Sequence, residues 1–212
     1  MTSSSLPPAG ICTTAWTAGR WPAEGVKQTY AGGNRVVMAK SRRHNWFAAR
    51  VNDLNLVLAL GAGVSCENAG ETTFRLRERD AGAEADASYF FGENAVRMKG
   101  PKNFEPGVDQ VPDLVVEVEV THTVELALSA WRRLGVSEVW HVDARSDEVF
   151  SRVLRLSNDG SEYQVVPGSA ILPTQSDQLQ TFLRNATAEG TDVWRSNQKA
   201  RLAGLDRERF TP

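Results

Sequence analysis

Eight residues near the middle of the chain constrain its fold more than any others. Residues 113–120 read DLVVEVEV, and side chains on a strand alternate between two faces. Leu114, Val116, Val118 and Val120 therefore share one face, and Asp113, Val115, Glu117 and Glu119 share the other. The run leads into an amphipathic stretch over 124–134, closed by Gly135, and then into a second apolar run, EVWHV, over 138–142. Strand, helix and strand in that order predict a βαβ unit with a right-handed crossover, which requires a sheet able to bury both faces.

The neighbouring segments fit the same sheet. RVVM at 35–38 follows the turn signal Gly32-Gly33-Asn34 and reads as a short strand. Phe47, Val51, Leu54 and Leu58 form one stripe of a helix over about 41–60, with Ser41 placed to cap it and Gly61 to end it. Residues 71–76 and 87–91 (ASYFF) are short strand-like runs, two more strands are expected over 149–156 and 163–166, and a helix from 176 to about 184 closes the unit. The expected class is α/β (α+β), a mixed sheet flanked by helices. The division predicted is a disordered N-terminal arm over 1–25, rich in Ser, Pro, Gly and Thr, one domain over 26–188, and a tail over 189–212 with some helical character. Trp16 and Trp21 are placed to pin part of the arm.

A chain of 212 residues, 41% hydrophobic and 24% charged, can bury a core without staples. Its net charge of −2 is unlike that of a protein built to coat nucleic acid, so any such contact must come from a local patch. Lys40, Arg42 and Arg43 form one basic cluster, Arg132 and Arg133 a second, and Lys99 and Lys102 a third. Each is equally the composition of a solvated surface. Cys12 and Cys66 lack metal-ligand spacing and suit a reducing compartment. With no basic, apolar leader at the N-terminus and no apolar run long enough to span a bilayer, the reading is a soluble, cytoplasmic protein.

The acids carry the chemistry. Members of one strand face recur every ~6.5–7 Å, and like charges that close resist ionisation unless a cation lies between them. Alternation of this kind is also that of a strand whose acids simply face water. Asp86 precedes the strand-like run at 87–91, and if that strand neighbours 114–120, Asp86 can share a cation with Glu117. Carboxylate oxygens suit Mg²⁺, which activates water and steadies charge on phosphate oxygens. Taken alone, Asp86 is as well a turn residue, and His44 as well a helix-start residue as a site residue. Trp131 and Trp140 read as core.

The order of segments is what identifies a relative. His44 opening the long helix, GETTFRLRERDAGAEADASYFFGENA over 70–95, PDLVVEVEVTH over 112–122 and RRLGVSEVWHVD over 132–143 together resemble the Uma-type restriction endonuclease family, within the PD-(D/E)XK nuclease superfamily. The resemblance runs from about residue 35 to 183 and is most specific over 112–143. It implies a restriction-endonuclease-like fold and a Mg²⁺-dependent (or Mn²⁺-dependent) endonuclease that hydrolyses DNA phosphodiesters. The implied metal ligands are Asp86, with Ala85 where the family usually has Pro, and Glu117; the implied catalytic set is Asp86, Glu117 and Glu119. Glu119 stands where the superfamily motif has Lys. In the family that Lys is usually on the following helix, where this chain has Ala127. A Glu that the family often carries upstream is matched by Val36 or Val37. Two apolar residues at polar site positions leave a second reading open, a catalytically inactive module kept for binding nucleic acid or protein. DNA is the implied partner, with no membrane, and the assembly is open, a homodimer included.

Overall fold

The computed structural model describes residues 27–101, 103–121 and 124–202. The expected arm over 1–25, with Cys12, Trp16 and Trp21, and Lys102 lie outside the described residues. Two sheets are built from ten strands. The first has the order β2-β1-β5-β4, from β1 (Lys27–Ala31), β2 (Asn34–Met38), β4 (Thr73–Leu76) and β5 (Ala81–Glu84). The second has the order β10-β9-β8-β7-β6-β3, from β3 (Cys66–Asn68), β6 (Ala87–Phe91), β7 (Leu114–Glu119), β8 (Glu138–Asp143), β9 (Phe150–Leu156) and β10 (Tyr163–Val166). Five helices complete the fold: α1 (Arg42–Ala62), α2 (Gly92–Arg97), α3 (Glu125–Leu134), α4 (Ser176–Ala188) and α5 (Thr191–Leu202).

The βαβ unit predicted from sequence is β7-α3-β8. Strands β7 and β8 pair in parallel, Glu117 opposite His141, while β6 lies antiparallel to β7 with Ala87 opposite Val116. The alternation of β7 sorts two cores. Leu114, Val116 and Val118 face α1 and α4, packing with Phe47, Val51, Leu54, Leu58, Leu179 and Leu183. Val115 faces the other way, into a second core with Phe74, Phe90, Ala130, Trp131 and Leu134. Glu117 and Glu119 share Val115's side and so point toward α3 and the smaller sheet. A strand buried on both faces reads as continuous apolar residues, and the two acids interrupt that pattern.

Several boundaries differ from expectation. Helix α1 runs through Gly61 and stops at Gly63, whose φ of 70° and N–H bonds to the Ala59 and Leu60 carbonyls form the left-handed cap. Ser41 caps the start as predicted, accepting from the His44 N–H. Helix α4 continues four residues beyond Arg184, and α5 follows at once. Helix α5 is tied to α1 by Arg50, whose guanidinium stacks on Trp46 and Trp194 and bonds the Thr191 hydroxyl at 2.6 Å. Strand β1 was missed altogether. It forms a hairpin with β2 in which Ala31 pairs with Asn34, leaving Gly32 and Gly33 as a two-residue turn with φ of 55° and 83°. Such turns need positive φ at both central positions.

Candidate active site

The two sheets meet at Asp86, which sits between β5 and β6. Its N–H bonds the Val116 carbonyl, and its Oδ2 accepts from the Val118 N–H at 2.8 Å. This fixes the carboxylate beside Glu117. The third member comes from β1: Lys27 Nζ lies 2.7 Å from Asp86 Oδ1 and 2.6 Å from Glu117 Oε2. Trp131 of α3 donates its indole N–H to Glu117 Oε1 at 2.6 Å. His44 Nε2, from the first turn of α1, approaches Asp86 Oδ1 to 3.0 Å. Lys27 is 1% exposed and Asp86 and Glu117 are each 4% exposed. Lys27, Glu117 and His44 line a cleft of about 200 Å³ together with Lys40, Glu119 and Ala127, and Asp86 lies buried behind them.

Burial costs a charge heavily unless it is paired and hydrogen-bonded. Burial pushes the Lys27 ammonium down, but Asp86 and Glu117 outweigh it, and the group titrates above its ordinary value. Burial likewise raises the Asp86 carboxyl, and Lys27 and His44 reverse that to hold it low. Glu117 goes the other way: its burial exceeds the help from Lys27, and the neighbouring Asp86 charge adds to the upward shift. Two acids pushed apart around one cation are the electrostatic arrangement that hydrolytic sites use.

Glu119, two residues along β7, has different partners. His141 Nε2 lies 2.9 Å from its Oε2, and Arg145 Nη1 lies 3.2 Å from its Oε1. Arg152 Nη2 is 3.2 Å from His141 Nδ1. A guanidinium can only donate, so Nδ1 accepts and Nε2 carries the hydrogen given to Glu119. The imidazole is thus held neutral, and burial, then Arg152, lower its pKa to about 4. Burial raises Glu119 against the pull of Arg145.

The profile of the Uma2 family, described as "Putative restriction endonuclease", matches residues 18–186. The chain belongs to the Uma2 family. A solved structure described as "a putative nuclease belonging to DUF820", from Anabaena variabilis ATCC 29413, aligns at 19% identity over 74% of this chain and 89% of that chain, with a TM-score of 0.47. No curated protein matches.

Within the Uma2 pattern, Asp86 and Glu117 converge, and Glu119 opens onto the same cleft. Asp113, on the same strand face, does not join them; it accepts from the Phe91 N–H and the Asn94 amide at the far end of β7. Ala127 lines the cleft, 8% exposed, where the resemblance looked for Lys. The upstream strand residue that reaches the acids is Lys27 of β1, and neither Val36 nor Val37 of β2 does so. His44, as readily a cap residue from sequence, is 7% exposed and faces Asp86. Trp131 is core, as expected, and also a donor to the site.

Of the basic clusters, Lys40 pairs with Glu71 at 2.6 Å and Glu84 at 2.9 Å beside the cleft, and Arg43 bonds the Ala144 carbonyl. Among the described residues no three His, Cys, Asp or Glu side chains form a metal-binding group. Two carboxylate oxygens do converge on one point, and a cation, the Lys27 ammonium, stands there. In oxygen chemistry and convergence the pair fits a hard divalent ion, Asp86 and Glu117 being the residues that would hold it. No helix is long and apolar enough to cross a membrane among the described residues.

Proposed function

We propose that this Uma2 protein is a Mg²⁺-dependent endonuclease that hydrolyses DNA phosphodiester bonds at Asp86, Glu117 and Glu119. The observation that carries the reading is the convergence of two buried acids, Asp86 and Glu117, on one cationic point beside a cleft that Lys27 and Glu117 line. Asp86 is oriented by the Val118 N–H, and Glu117 by the Trp131 indole, so neither carboxylate needs to reorganise when substrate arrives. Asp86 and Glu117 would hold the divalent ion, which would supply charge for the phosphate oxygens and an acidified water. Lys27 is the positive side chain that Ala127 does not provide, placed to face the phosphate from β1. Glu119, its pKa raised by burial and its carboxylate held by His141 and Arg145, faces the cleft as the proton acceptor for the attacking water.

Supercoiled plasmid incubated with Mg²⁺ tests this. Nicking by the parent should fall by about 10²–10³ or more in Asp86→Asn and in Glu117→Gln, the loss typical of removing one electrostatic group. Ala127→Lys should add little, because Lys27 already supplies the charge. Nicking that survives both acid substitutions would assign it to a contaminant and sink the proposal.

The alternative, a nuclease fold kept for binding without chemistry, is favoured by one feature. Every oxygen of Asp86 and Glu117 already accepts from a donor of the chain itself: Lys27, the Val118 N–H and the Trp131 indole. A parent inert on DNA yet retaining salt-sensitive DNA binding would select this reading.

A further inference from the structure

Lys27 does more than lie near the acids. Its Nζ bonds Asp86 Oδ1 and Glu117 Oε2 at once, at 2.7 and 2.6 Å, and is 1% exposed. The outer oxygen of each acid is committed elsewhere, Asp86 Oδ2 to the Val118 N–H and Glu117 Oε1 to the Trp131 indole. The two inner oxygens are the ones that converge on a single point, and both face the ammonium. A divalent ion added beside it would set like charges within a few ångströms of each other in a buried setting, where repulsion is least screened. The other lysine that lines the cleft, Lys40, is committed to Glu71 and Glu84.

The cleft leaves the lysine somewhere to go. Lys27 itself lines it, and so does Ala127 of α3, which puts only a methyl group into that space. A four-carbon stem can carry an ammonium outward along such a wall while its methylenes stay against apolar atoms. Glu119 lines the same cleft and is an acceptor there.

We propose that Lys27 and a divalent cation are alternative occupants of a single place between Asp86 and Glu117, so that metal enters only as the ammonium moves out into the cleft. The proposal deepens the endonuclease reading and rests on its choice of metal ligands. It makes Lys27 an internal competitor for its own site's metal. The apparent metal affinity is then the intrinsic affinity reduced by the fraction of molecules in which the lysine is withdrawn.

Mn²⁺ binding, followed by electron paramagnetic resonance of the free ion, tests the competition without any cleavage. Lys27→Met keeps an apolar stem of similar length and removes the charge. It should bind one Mn²⁺ about tenfold or more tighter than the parent, and adding Asp86→Asn should abolish the gain. A folded Lys27→Met protein that binds Mn²⁺ no tighter than the parent overturns the proposal. Should Lys27→Met fail to fold alone, Mn²⁺ in the refolding buffer should restore its near-ultraviolet circular dichroism, since the ion takes the missing charge's place. Failure of that rescue also overturns it. In the parent, the ¹⁵Nζ resonance of Lys27 should move as Mg²⁺ binds; Asp86-dependent Mg²⁺ binding that leaves this resonance in place counts against exchange. Because each readout is binding or folding, a protein inert on DNA that still shows tighter Mn²⁺ binding sinks the nuclease assignment alone.

Discussion

Two charged clusters sit two residues apart on β7, and they are built on opposite principles. At Glu117 the counter-ion comes from the other sheet, 90 residues away in sequence, and is sealed from water. At Glu119 it comes from the rim, where the Arg145 side chain is 51% exposed, with a buried neutral imidazole behind it. The inner cluster joins the two sheets and cannot lose a member cheaply. In the outer one Glu119 and His141 are buried as well, but the Arg145 arm is solvated and can rearrange as a ligand approaches.

Removing the charge at Lys27 should give the largest effect. Breaking a buried ion pair on one side costs about 3–5 kcal/mol, because the partners are left uncompensated. Urea unfolding of Lys27→Met without metal should show a loss of that order, whereas a loss near zero would mean that the inner cluster is no more costly than the outer.

The pH dependence of stability comes next, and belongs chiefly to the outer cluster. His141 titrates near 4 when folded, against about 6.5 in an unfolded chain. As pH falls below 6.5 the unfolded state takes up the proton first. The His141 contribution, up to about 3 kcal/mol, should therefore be lost between about pH 6.5 and 4, and the low-titrating Asp86 carboxyl carries the decline further below that. His141→Gln should fall less steeply over that window in parallel urea titrations; an unchanged slope would show that the acids alone set it.

Trp131→Phe keeps the ring packing and strips Glu117 Oε1 of its donor, a cost of about 1–3 kcal/mol for an acceptor left buried without a partner. The smallest change should be Arg145→Ala, a barely measurable shift in thermal unfolding, because the Arg145 arm is solvated and His141 still donates to Glu119. If Arg145→Ala matched Lys27→Met, the distinction between a sealed and a solvated cluster would collapse.

Much of this was legible in the sequence, for identifiable reasons. The β7 alternation put Glu117 and Glu119 on one face, and Gly135 and Ser41 marked helix ends because their roles are local. The pairing of Asp86 with Glu117 needed only that the two adjacent strand-like runs be neighbours. Lys27 was not legible because KQTYA reads as a polar lead-in, although its first three residues are all buried. A signal was present: Gly32-Gly33 is a two-residue hairpin turn, and a hairpin with β2 on one side needs a strand on the other. His44 had a signal too. It lies three residues before Phe47 and seven before Val51, on the buried stripe of α1. Arg145 had none, since a loop residue's reach depends on tertiary geometry.

The separation between Lys27 and Glu117 also matters while the chain is being made. At translation rates of about 5–20 residues per second, the lysine leaves the ribosome several seconds before the glutamate. The acids can therefore be buried against a counter-ion already synthesised. Initiation at the internal Met38 would reverse that advantage. The shorter product would keep Asp86, Glu117 and Glu119 while losing the whole of β1, and with it the one ammonium that the structure shows bridging Asp86 and Glu117.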